Sequence, residues 1–118
     1  MANTFKLKTM SGVSETGPVL QTLYTVPNSP STTTIILSLN LCNNHSEAVK
    51  ATVNIESNTS DTETNTDVNI QKDIVVGGGG SVEMMTGNKY VLQATDVLKI
   101  SSSVAGMLDA SLSIMEIT

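Results

Sequence analysis

Apolar and polar residues alternate with a period of two along much of this chain. From Val49 to Glu56, valine, alanine and isoleucine stand at every second position, separated by lysine, threonine, asparagine and glutamate. The stretch from Leu108 to Ile117 repeats the alternation, which is typical of antiparallel strands that bury one face. The pattern predicts that the following side chains point into a core: Val49, Ala51, Val53, Ile55, Leu108, Ala110, Leu112 and Ile114.

The segment TTTIILSLNLC is apolar at consecutive positions in its first half. Strict alternation, read along the whole segment, places Ile35 and Leu37 on the core face with Leu39 and Leu41, and leaves Ile36 on the opposite face. Other runs follow the period less regularly; they begin near Phe5 and lie at 19–26, 68–76, 81–85, 90–94 and 96–103. Clusters of Gly, Pro, Asn, Asp and Ser separate these runs.

Together these segments predict an all-β protein of about eight or nine short strands. Because no gap is long enough for a crossover helix, the strands are expected to pair antiparallel in one β-sandwich domain spanning residues 1–118. The strand order is left open between an immunoglobulin-like and a jelly-roll arrangement.

Several apolar residues fall opposite the predicted core face, and they are the candidates for an assembly interface. Such residues are covered either by another subunit or by the second face of the sandwich itself. The candidates are Ile36, Val75, Met85, Met115 and Ile117. The first segment, 4–13, and the last, 110–117, are the expected sheet edges, to which a neighbour's strand would add.

The run VVGGGGSVEM raises the possibility of a phosphate-binding loop. A Walker-type loop needs a lysine followed by serine or threonine and then a helix, whereas Gly80 is followed by Ser-Val-Glu and a strand pattern. The run therefore predicts a turn, with an excess of glycine that marks either a corner between sheets or the close approach of another backbone. No cofactor is expected.

Charge and side-chain chemistry narrow the function. The chain has six lysines, no arginine and eleven acidic residues, a net charge of -5, which argues against nucleic-acid binding. No run approaches the ~18 apolar residues of a membrane span, and MANTFKLKTM lacks the apolar core of a secretory signal, so we expect no membrane partner and synthesis in a cytoplasm. Cys42, expected to be a small buried residue, and His45 are single, and no catalytic triad is recognisable, so we expect no enzyme.

The longest polar gap, 57–67, contains Asp61, Glu63 and Asp67. It lacks the central glycine and the closing glutamate of an EF-hand, and a solvated loop is the simplest interpretation. The sequence leaves open whether this loop binds a cation or another ligand.

Five stretches, MANTFK, LYTVP, TTTIILSLNLCN, KYVLQATDVLKISSS and LDASLSIMEI, occur in this order. In that order the chain resembles small virion structural proteins of tailed bacteriophages, especially those of marine and cyanobacterial hosts. The resemblance covers nearly the whole chain except the loop around Asp61, and it carries over no functional residues. The four-glycine turn departs from the pattern.

The resemblance implies a non-enzymatic component of the virion, with other virion proteins as partners and a homo-oligomeric or high-copy arrangement. Within that class we expect a capsid decoration or cement protein on the particle exterior. A neck- or tail-associated protein is the alternative. A β-sandwich module that binds host glycans is a further one, although the chain has only three aromatic residues for stacking against sugars.

Overall fold

The computed structural model describes residues 2–16, 19–57, 65–84 and 89–118. Every element assigned in these ranges is a β-strand, as the two-residue period predicts. The strands are β1 (Asn3–Met10), β2 (Gln21–Thr25), β3 (Thr33–Asn43), β4 (Val49–Glu56), β5 (Val68–Val76), β6 (Ser81–Glu83), β7 (Tyr90–Leu92), β8 (Val97–Ser102) and β9 (Leu108–Ile117).

The strands form two sheets, and within each sheet all neighbouring strands pair antiparallel. One sheet has the order β1-β9-β3-β6, with β7 also pairing with β3, and the other has the order β2-β8-β4-β5. If β7 is set aside, the first strand pairs with the last, the second with the last but one, and so on inwards to β4 and β5. This nested pairing is that of a jelly roll. The predicted antiparallel sandwich is confirmed, and its order is the jelly roll rather than the immunoglobulin arrangement.

The core lies between the two sheets, and two central strands supply it as the alternation predicts. All eight inward positions predicted for β4 and β9 are buried. The large side chains that are fully enclosed with them include Leu39, Leu41, Leu98 and Ile100. Burying a side chain of this kind stabilises the fold by about 1.5–3 kcal/mol, so these strands carry much of the stability.

A β-bulge in β3 changes which residues face the core. Ile36 is opposite Ile114 and Ser38 is opposite Ser113, so that Leu37 is an extra residue that reverses the alternation. Ile36 is consequently 0% exposed, whereas Ile35 and Leu37 are half-buried. The predictions that Ile35 and Leu37 lie in the core and that Ile36 is a candidate interface residue are therefore wrong.

The positions of the two terminal strands correct one of the predicted edges. β1 is an edge strand, as expected for the first segment. β9 lies between β1 and β3, so the prediction of an edge at 110–117 is wrong. The nested pairing requires this, because the last strand is enclosed once the first strand pairs with it.

The four glycines form the corner at which the chain passes from β5 in one sheet to β6 in the other. Gly79 has a φ of +69°, a conformation that favours glycine. A Cβ on Gly78 would lie 2.3 Å from the carbonyl oxygen of Ser46. The predicted turn is confirmed, and the run is both a sheet corner and a close backbone approach.

Candidate assembly surface

An apolar row crosses the outward face of the sheet that contains β1. Phe5 is the register partner of Met115, Met115 of Ile35, and Ile35 of Val91. Register partners in antiparallel strands direct their side chains to the same face of a sheet. The neighbouring position on β9, Ile114, is buried in the core, so this row faces away from the core.

The row belongs to a wider surface that we call the outer patch: Phe5, Leu7, Ile35, Val91, Met115 and Ile117. Phe5 is 71% exposed, Leu7 65% and Val91 58%, while the other three are half-buried. The residues interspersed with them on this face are uncharged: Asn3, Thr33, Ser38 and Ser113. In a chain with 17 charged residues (six basic and eleven acidic), an apolar patch without a charged residue is the feature that most favours a contact surface.

The structure separates the residues that the sequence proposed as one interface. Met115 and Ile117 lie in the outer patch. Val75 is 56% exposed but belongs to the second sheet, Ile36 is in the core, and Met85 lies outside the described residues. Sequence reasoning missed Phe5, Leu7, Ile35 and Val91. The lysines that alternate with Phe5 and Leu7 are a weak indication in the sequence that β1 is an edge strand. At Ile35 the sequence gives no comparable indication of the outward position, because that position results from the bulge in β3.

The backbone of β1 has one bonded edge and one free edge. Ala2 and Thr118 exchange two backbone hydrogen bonds, with N···O distances of 3.1 and 2.9 Å. Since such pairs alternate along an antiparallel ladder, the even-numbered residues of β1 direct their N–H and C=O groups toward β9. The odd-numbered residues direct theirs to the opposite side, where the described strands include no partner for β1: Asn3, Phe5, Leu7 and Thr9.

The other face of β1 is basic. Lys6 pairs with Ile114 and Lys8 with Leu112, so both lysines stand on the side of the sheet that faces the sandwich interior. Both are exposed, and β1 is the strand at the end of its sheet. Lys6 Nζ lies 2.6 Å from Oε1 of Glu116, a residue that is only 5% exposed.

The ion pair is completed by hydroxyl groups from the facing sheet and from β3. Tyr24 donates its hydroxyl hydrogen to Glu116 Oε2 at 2.5 Å, and its hydroxyl oxygen is 2.8 Å from Thr34 Oγ1. Burial by itself would raise the pKa of Glu116, but the hydrogen bonds from Lys6 and Tyr24 and the lysine charge outweigh it and hold the pKa below the usual range. Burial and the bond to the carboxylate raise the pKa of Tyr24. The cluster therefore fastens β1 and β9 to the second sheet with an ionised glutamate.

At the opposite end of the same outward face, a shallow depression of about 240 Å³ is lined by Cys42, Asp109 and Asn40, among others. Cys42 is half-buried rather than buried. The amide of Asn44 and the backbone N–H of Gly12 donate to the Asp109 carboxylate and lower its pKa. The Asp109 carboxylate therefore has a structural role, because its hydrogen bonds hold the loops that contain Gly12 and Asn44.

The remaining polar candidates are distributed around the chain. The imidazole Nδ1 of His45 accepts a hydrogen bond from the backbone N–H of Glu47 at 3.0 Å. Asp61 and Glu63 lie outside the described residues, and Asp67 is exposed. Within the ranges that the structure describes, no three His, Cys, Asp or Glu residues are grouped closely enough to bind a metal ion. None of the described segments forms a helix with the length and apolarity needed to cross a membrane.

The topology and the outer patch together define a jelly-roll protein with an uncovered apolar sheet face. Neither a protein-family model nor a curated protein sequence matches the chain. Several solved structures, in contrast, match the chain. A chain from the T13 viral particle of infectious bursal disease virus has a TM-score of 0.54 and 14% identity, covering 97% of the present chain and 30% of the viral one.

Two further structures are similar. A chain from the VP2 subviral particle of the same virus has a TM-score of 0.50 and 13% identity, over 97% of this chain and 32% of that one. A chain from Bacillus endospore appendages, described as disulfide-linked pili, has a TM-score of 0.52 and 12% identity, over 98% of this chain and 88% of that one. These likenesses show a shared fold. The present chain spans about a third of the length of the viral chains it matches.

Proposed function

We propose that this chain is a non-enzymatic structural protein of a phage virion, and within that class a decoration protein on the capsid exterior. The observation that carries the proposal is the charge-free outer patch beside the free edge of β1. A face of this kind is suited to contact with protein. The resemblance to small phage virion proteins and the fold shared with viral-particle chains support the virion as the place of that contact.

The size of the patch favours a contact that is repeated many times. Four strands spaced about 4.8 Å apart and about 14 Å of strand length give roughly 250–300 Å². A stable two-protein interface buries about 800 Å² on each partner. One patch is therefore expected to bind weakly, and a high-copy arrangement would gain strength from many simultaneous contacts.

A filament subunit is the second candidate, and one observation favours it. The similar chain from the Bacillus endospore appendages is covered over 88% of its length, so the two chains correspond as nearly whole subunits. The viral chains, by contrast, are about three times as long as this one.

Quantitative mass spectrometry of purified mature phage particles tests the proposal. We expect the chain to be present at a fixed ratio to the major capsid protein and to be removed with the capsid rather than with the tail. Its absence from washed particles would refute the virion role. If the purified chain alone forms filaments under the electron microscope, the second candidate replaces the first.

Two matched variants locate the contact. Val91 and Val75 are exposed to 58% and 56%, on opposite sheets. We expect Val91→Lys to be lost from particles, because a charge would be placed in the outer patch, and Val75→Lys to be retained. Loss with Val75→Lys alone would instead move the contact to the second sheet.

A further inference from the structure

The free edge of β1 provides a docking site for an extended chain. Asn3, Phe5, Leu7 and Thr9 direct backbone N–H and C=O groups away from β9, and no described strand pairs with them. An added strand would bond to these groups and continue the sheet. Its side chains would alternate between the outer patch and the face that carries Lys6 and Lys8.

The two faces of β1 determine what chemistry the added strand needs. On the outward face it meets Phe5 and Leu7, which are exposed and apolar. On the other face it meets Lys8, which is exposed, and Lys6, whose side chain is 43% exposed. We infer that the free edge of β1 binds an extended segment of another virion protein in which acidic residues alternate with apolar ones. This inference rests on the proposed function and names the partner's chemistry.

The bonded edge of β1 already shows this recognition within the chain. There Met115 lies opposite Phe5 on the outward face, while the next residue of β9, Glu116, forms the ion pair with Lys6 on the other face. Glu116, which stands between the apolar residues Met115 and Ile117, reaches Lys6 diagonally from its register position opposite Thr4, while Ile114 and Leu112 lie directly opposite the two lysines. The free edge presents the same two faces to a second strand.

A second copy of this chain fits the edge poorly. Pairing β1 with its own copy would bring lysines together on one face, and like charges on neighbouring strands are destabilising. The other edge of the same sheet is also mismatched, because β6 places Glu83 on the outward face and Val82 on the inward one. Adding β6 of another copy would set the glutamate beside the apolar patch and the valine beside the lysines.

Peptide binding to the purified full chain tests the inference. The probe is a blocked peptide of the length of β1 in which glutamate alternates with valine, and the matched control has lysine at each glutamate position. We expect the acidic peptide to bind at least about tenfold more tightly by fluorescence anisotropy, with a preference that weakens as salt screens the charges. In amide hydrogen exchange, Phe5 and Leu7 should gain protection, because their N–H groups are the ones that become bonded.

Three variants make the result specific. Lys8→Glu should abolish the preference for the acidic peptide, while Lys72→Glu, the same charge change on exposed β5, should leave it intact. Leu7→Pro should abolish binding of the acidic peptide while preserving the fold by circular dichroism, because the N–H it removes faces the free edge. Equal affinity for both peptides, protection at other strands, or equal effects of Lys8→Glu and Lys72→Glu would overturn the inference.

Failure of this inference is distinguishable from failure of the proposed function. A chain that is present in particles but shows no peptide preference retains its virion role and loses this partner chemistry. A chain that is absent from particles loses the virion role, and the virion partner inferred here is overturned with it.

Discussion

Replacing Ile36 by alanine is expected to destabilise the fold far more than the same change at Ile35. Ile36 is fully buried and faces the second sheet, opposite Ile114 on β9. Ile35 is half-buried in the outer patch. The two residues are adjacent and chemically identical, so the pair isolates the effect of burial.

The expected difference follows from the carbon atoms removed from the core. Isoleucine to alanine deletes three carbons at about 0.8 kcal/mol each, roughly 2.4 kcal/mol of transfer free energy. The cavity left between two sheets adds to this, and measured values for such changes are about 2–5 kcal/mol. At Ile35 part of the side chain is already in water and little cavity forms, so we expect about 1 kcal/mol or less.

Urea denaturation followed by far-ultraviolet circular dichroism measures both values. We expect the midpoint to fall strongly for Ile36→Ala and slightly for Ile35→Ala, with similar slopes in denaturant. For a chain of this length, each 1 kcal/mol corresponds to about 4 °C in Tm. Equal destabilisation by the two variants, or a larger loss for Ile35→Ala, would show that the bulge in β3 is misplaced and would refute the assignment of faces.

Three further predictions concern polar and glycine positions. Because the pKa of Glu116 is lowered, its ionised form adds stability above the usual glutamate pKa of 4.5, and this stability is lost as the pH falls through the lower pKa of the folded state. Glu116→Gln should therefore cost about 1–2 kcal/mol at neutral pH and less in thermal unfolding at acid pH. Asn43→Ala should cost about 2–4 kcal/mol in chemical denaturation, because the buried amide donates to three backbone carbonyls; a change under 1 kcal/mol would contradict this. Gly78→Ala should lower Tm through the clash with Ser46, while Gly77→Ala, with open space around it, should not.

Local pattern was sufficient where a strand is regular and one face is covered. β4 and β9 have unbroken alternation, and each predicted inward residue is buried. In β3 the same reasoning failed, because one extra residue shifts every earlier side chain to the opposite face. A bulge is produced by pairing with a partner strand. The run of three apolar residues at 35–37 is compatible with either alternation, the one that buries Ile35 or the one that buries Ile36.

The candidate surface was only partly predictable for a related reason. Met115 and Ile117 are outward on a regular strand and were identified. Phe5 and Leu7 have the same alternation as core residues. Their exposure follows from the pairing of β1 with β9, which places Phe5 opposite Met115 and Leu7 opposite Ser113 on the outward face. The partner that decides which face of β1 points outward is not encoded in the residues of β1 alone.

By itself, the sequence determined that this protein is built of short antiparallel strands, with the four glycines as a turn, because periodicity and turn chemistry act between near neighbours. Only the tertiary structure decided the jelly-roll order, which edge is free and where Glu116 lies. These depend on the pairing of Asn3 with Ile117 and of the strands nested inside that pair. Such pairing joins residues that are almost the whole chain apart, and its free energy is gained only when both strands are in place.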